Sequence, residues 1–153
     1  MKFILFFLLA TSSILSAGEH FAMQMPSGWE SVTSTFQPDG KRFEVWFQGT
    51  EHRLINMTSP YGDEKKATIE EAIEGVMQPM NAYGVHCKVY GSSADEALVG
   101  WSIPGENVTL VRLISTPFGL HSVMYSYQGP ETAGINPEKW MQFLRSVPLV
   151  QTR

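Results

Sequence analysis

A single cysteine, Cys87, stands in a chain of 153 residues, so no internal disulfide can form and the fold must be held by packing. Lysine and arginine number 11 against 15 aspartates and glutamates, a net charge of −4, and no run of basic residues occurs. That excludes the electrostatic footprint of a nucleic-acid groove or of an anionic-lipid surface. A glycine-flanked nucleophilic serine and a phosphate-binding glycine loop are both missing. The four histidines, His20, His52, His86 and His121, never fall at the close spacing of a zinc pair, so neither a metal nor a cofactor is expected. A membrane span is absent too. Residues 3–10 are apolar, but Thr11, Ser12, Ser13 and Ser16 cut the run well short of the roughly 20 residues a bilayer requires.

That short run has another meaning. Lys2, the apolar stretch and the small and polar residues after it follow the order of a secretory leader. Ser16-Ala17-Gly18 supplies a small-x-small site for cleavage before Glu19, with cleavage after Ala17 as the neighbouring option. Residues 1–18 therefore read as a signal peptide and 19–153 as one exported domain, periplasmic or secreted. No cysteine lies near the cleavage site, which excludes an acylated lipoprotein. The remaining chain, about 135 residues, is long enough for a single well-filled core.

Periodicity in the mature part alternates between the two regular forms. "HFAMQM" sets Phe21, Met23 and Met25 on one side of a strand, and "WESVTSTF" is rich in strand formers. Pro38-Asp39-Gly40 turns the chain into "KRFEVWFQ", where Phe43, Val45 and Phe47 share one face and Arg42, Glu44, Trp46 and Gln48 the other. "HRLINMTS" returns alongside, giving the clearest hairpin of the sequence. A helix is announced by the capping box Thr68-Ile69-Glu70-Glu71 and by the stripe Ile69, Ile73, Val76 and Met80; Pro79 predicts a kink or early end, and Gly84 a left-handed stop. Four strands should follow, "VHCKVYG", "EALVGWSI", "NVTLVRLIST" and "HSVMYSYQ", joined by links too short for parallel crossovers. Asn136-Pro137 opens a second helix with Trp140, Phe143, Leu144 and Val147 on its buried face. The expected class is α+β: an antiparallel sheet of about six to eight strands with two main helices packed on it.

Candidate chemistry is thin. His86 beside Cys87 suggests a nucleophile and its base, but neighbours on a strand point to opposite faces, so Cys87 joins the apolar row of Val85 and Val89 while His86 does not. His52 or His121 would have to reach the thiol from elsewhere in the fold. Glu70, Glu71 and Glu74 suit the positive end of the first helix as solvated charges. Asn56-Met57-Thr58 and Asn107-Val108-Thr109 match the glycosylation triplet but lie inside expected strands. No catalytic residue is assigned. Trp46, opposite the apolar row of its strand, is the one candidate binding residue; it either marks a binding face or packs under a helix on the sheet's second side.

Three segments together resemble the PsbP-like fold, shared by photosystem accessory proteins, a nuclear Ran-binding factor and bacterial DcrB-type envelope proteins. They are the N-terminal strand running into "MPSGW", the "STPFGLHSVMYSYQ" strand–turn–strand, and the closing helix "PEKWMQFLRSVPL". The resemblance implies an α/β/α sandwich that works by binding proteins or assisting complexes, with no shared catalytic residues. It departs from the many lipid-anchored bacterial relatives, whose anchoring cysteine this chain lacks. The leading expectation is an exported, non-enzymatic binding or accessory domain whose partner is a protein or an envelope component. Two alternatives remain: a small thiol- or histidine-dependent hydrolase or effector, and a small-ligand carrier with a pocket between the sheet and the first helix, lined by Met77 and Met80 near Met57.

Overall fold

The computed structural model describes residues 20–60, 66–117, 119–129, 136–147 and 149–152; the leader assigned to residues 1–18 lies outside them. In chain order the elements are β1 (His20–Met23), β2 (Glu30–Phe36), β3 (Arg42–Gln48), β4 (His52–Pro60), α1 (Ile69–Ala82), β5 (Lys88–Ser92), β6 (Glu96–Ile103), β7 (Asn107–Ser115), β8 (Gly119–Tyr127), α2 (Pro137–Ser146) and β9 (Leu149–Thr152). Seven strands form one antiparallel sheet in the order β2-β3-β4-β8-β7-β6-β5. The α+β class is as expected, with seven strands inside the anticipated range. The N-terminal strand departs from expectation: β1 stays out of the main sheet and pairs with β9, a strand that the sequence pattern did not announce.

Short antiparallel links explain the order. The hairpin β3–β4 runs in unbroken register from Arg42↔Thr58 to Gln48↔His52, and β6–β7 and β7–β8 are likewise continuous. Between β4 and β5 the chain needs a longer path, and α1 supplies it. The helix starts at the foreseen capping box: Thr68 Oγ1 accepts from the Glu71 amide, and the Glu71 carboxylate accepts from the Thr68 amide. It does not stop at Pro79, which lies inside it. Proline costs a helix the hydrogen bond it would have donated four residues back. Here both Pro79 and Gly75, whose carbonyl is left over, face solvent, so water can take the bond. The real stop is Gly84, at φ +75, with the Val85 amide bonded to the Met80 carbonyl and the Gly84 amide to that of Asn81, the two reversed bonds of a glycine-terminated helix. The strand expected from Val85 begins three residues later, at Lys88.

Two cores lie on opposite faces of the sheet. On one, Leu98, Leu110, Val123, Tyr125 and Leu54 pack with Leu144 and Val147 from α2 and its end. On the other, Ala97, Val99, Val111 and Leu113 pack with Ile69 and Ala72 of α1. Gly100 marks how tightly the first of these closes: a Cβ there would sit 2.6 Å from Leu110 Cδ2 and 2.9 Å from the Thr109 carbonyl oxygen. Both helices lie chiefly over β6, β7 and β8. Among the described residues no helix is long and apolar enough to cross a membrane.

Candidate binding face

Because both helices lie chiefly over β6, β7 and β8, the strands β2, β3 and β4 are left with an open surface on the α1 side. The register identifies what shows there: Thr35, Phe43 and Met57 form one row, and Thr33, Val45 and Ile55 the next. Phe47 and Arg53 complete a third row. Phe43 is 38% exposed and Met57 43%, while Val45, Phe47 and Ile55 are half-buried. At the end nearest the β2–β3 turn this floor dips into a hollow of about 230 Å³, lined by Thr35, Gln37, Lys41, Phe43, Met57 and Ser59 together with parts of Arg42 and Thr58. Lys41 is held at the rim by Asp39, at 2.9 Å, and that contact draws the Asp39 carboxyl below its ordinary pKa. Arg53 Nε is buried without a hydrogen-bond partner.

The opposite face of the same strands carries the polar residues, and these are the buried ones. Glu44 is 4% exposed, and its two oxygens accept from Arg42 Nη2 at 2.8 Å and from Asn56 Nδ2 at 2.7 Å. Thr58 Oγ1 lies 2.9 Å from His121 Nδ1, and both residues are buried. Burial, with the Arg112 and Arg42 charges adding to it, lowers the His121 pKa to about 4. His121 is therefore neutral at ordinary pH and serves as a hydrogen-bonding partner inside the protein. Arg112 closes the arrangement, donating to both Glu96 oxygens and to the Leu144 carbonyl at the end of α2. A paired carboxylate and a neutral, hydrogen-bonded histidine make a structural network rather than an acid–base pair poised for turnover.

Trp46 belongs to this inner face. It is half-buried and packs against the α2-side core, and its Nε1 is buried without a hydrogen-bond partner. Further along, the His52, Tyr125 and Trp140 rings nest together, with Tyr125 and Trp140 stacked at 4.1 Å, and His52 Nδ1 lies 2.9 Å from the Tyr125 hydroxyl. Burial lowers the His52 pKa and raises that of Tyr125. These rings lock α2 to the sheet.

The remaining candidates separate in space. Cys87 packs against the α1-side core, and burial raises its thiol pKa, whereas His86 beside it is exposed. Burial shifts this thiol toward its protonated form, the opposite of the activation a nucleophile needs. Met77 is likewise part of the α1 packing and Met57 belongs to the open floor, so the two do not line one shared pocket. Asn56 of the first glycosylation triplet is fully buried, with its amide on Glu44. Among the described residues no cluster of three or more histidine, cysteine, aspartate or glutamate side chains could hold a metal ion.

Sequence periodicity identified the Phe43-Val45-Phe47 row but not its exposure. The signal lay in the partner row: Glu44, Asn56 and Thr58 fall at the positions that face the covered side. No family model, characterised protein or solved structure matches the chain.

Proposed function

We propose that this chain is an exported, non-enzymatic binding domain that engages a protein or envelope component through the open floor of β2, β3 and β4. The observation that carries the reading is the inversion across β3 and β4. Phe43, Val45, Phe47, Ile55 and Met57 face outward, half-exposed, while Glu44, Asn56 and Thr58 face inward, buried and hydrogen-bonded. A contiguous exposed apolar patch on a folded domain marks an interaction surface more often than an accident of composition. The same proposal places the chain among PsbP-like domains, supported by the three resembling segments and by helices on both faces of an antiparallel sheet.

A photo-crosslinking residue placed at position 43 or 57 in the exported protein, with position 83 as control, tests it. Tyr83 is 84% exposed at the far end of α1, away from the floor. An adduct of one defined mass from 43 and 57, missing from 83 and lost on Met57→Glu or Phe43→Glu at the companion site, is the expected result. Adducts that form equally from all three positions, or from none, would refute the assignment of the face.

A further inference from the structure

The two edges of the sheet differ. β5 is short, carries Lys88, breaks register between Val89 and Gly91, and has the Arg145 guanidinium of α2 lying 3.7 Å from where a Gly91 Cβ would be. These are the usual protections of an edge strand. β2 has few of them. From Ser31 to Phe36 it holds no charge and no proline, its side chains from Ser31 to Thr35 are exposed, and Val32 is 63% exposed at the one bulge. Beyond that bulge, Thr33 to Phe36 run in regular register against β3.

An open edge displays unpaired backbone donors and acceptors in the spacing of a strand, so what it takes is another strand. We infer that the strand is β2 of a second copy of this chain, paired antiparallel about a two-fold axis at Ser34. Three features of β2 fit that occupant. First, a two-fold axis sets Ser34 opposite its own copy and Thr33 opposite Thr35, and no pair in this stretch brings like charges together. Second, the charges at the ends are complementary. Glu30 stands at the start of β2 on the floor side, level with Phe47. At the other end the Gln37 amide bonds to the Lys41 carbonyl, so that Lys41 lies on the rung just beyond Phe36 and Arg42. Antiparallel pairing carries the Glu30 carboxylate of each chain to the end of the other where the Lys41 ammonium stands. Asp39 already touches that ammonium, but the contact is exposed on both sides and exchangeable. Third, an axis perpendicular to the sheet keeps like faces together. The two apolar floors then adjoin across the paired β2 strands and form one continuous surface on a fourteen-stranded sheet.

The inference stands on the edge and not on the floor's role as a binding face, so the two can fail separately. Its test is sedimentation of the mature protein over a range of concentrations, with two charged variants at exposed, floor-side positions of β2. Thr33→Lys with Thr35→Lys sets lysines against lysines across the axis; Thr33→Glu with Thr35→Glu does the same with carboxylates. The wild type should shift with concentration toward twice the chain mass. Each variant, folded by circular dichroism, should stay at the single mass, and an equal mixture of the two should regain the double mass. A wild type that remains at the single mass throughout, variants that still reach the double mass, or a mixture that does not recover it would each overturn the proposal. Photo-adducts from positions 43 and 57 to a foreign partner would be unaffected by any of these outcomes.

Discussion

In β6, β7 and β8 each strand sends apolar side chains into both cores, because α1 covers one face and α2 the other; β3 and β4 are covered only on the α2 side, and there the strands alternate. Leu98 and Val99, Leu110 and Val111, and Val123 and Met124 are successive residues that enter opposite cores. Phe43 and Glu44, or Asn56 and Met57, are successive residues with opposite fates, and it is the polar member that is buried. A strand's pattern thus reports how many of its faces are covered, but not which face. The buried side of β3 and β4 is held by charge-assisted hydrogen bonds, and the open side is left half-exposed. Stability should therefore reside in the covered half and in the polar seam, with recognition on the open floor.

The largest effect expected of a single change lies in the covered half. Leu144 is fully buried where α2 meets the sheet, and Leu144→Ala removes three carbons from a packed site. The cost should be about 4 kcal/mol, read as a fall in the denaturant midpoint with little change in slope. A loss under about 1 kcal/mol would mean that α2 does not roof this core.

The polar seam should respond to pH. His121 titrates near 4 when folded, against 6.5 in an open chain. The unfolded state therefore takes up the proton first as pH falls. Above about 6.5 both states are neutral and nothing is lost; between about 6.5 and 4 stability declines, by about 3 kcal/mol in all, and then levels. Calorimetry across that range on the wild type and on His121→Gln checks it, since the variant should lose the slope that this one proton supplies. An unchanged slope in the variant would assign the acid sensitivity to other groups.

An intermediate effect belongs to the start of α1. Thr68→Ala breaks the bond from the Glu71 amide and unties the reciprocal one, and should cost about 1 kcal/mol in the same unfolding measurement. The capping box lies off the sheet and is indifferent to the contrast between its halves, so it calibrates the scale between them.

Local signals such as that cap were legible in the sequence because they are satisfied by neighbours in the chain. The β3–β4 hairpin, the Asn136 cap and the Gly84 stop were read for the same reason. What stayed hidden depends on distant partners. β9 has little pattern of its own and exists by pairing with β1. Pro79 reads as a helix break, yet solvent at its face makes the lost bond inexpensive. The Phe43-Val45-Phe47 row looks like a core face until it is known that both helices lie elsewhere. Trp46 was visible as a large aromatic opposite that row, but the core it packs against is built from distant elements.

The smallest stability effect sharpens the comparison most. Phe43→Ser and Met57→Ser remove apolar groups from the open floor, where each side chain already meets water over about two fifths of its surface. Each should change stability by no more than about 0.5 kcal/mol, roughly an eighth of the Leu144→Ala cost, although Phe43 is the larger side chain. If the floor is a recognition surface, the same two substitutions should abolish the adducts formed from its neighbours. A residue that matters to a partner and not to the fold is what separates a binding face from an unfinished core. A loss of several kcal/mol for Phe43→Ser would place it in a core instead, and the contrast between the two halves of the sheet would collapse.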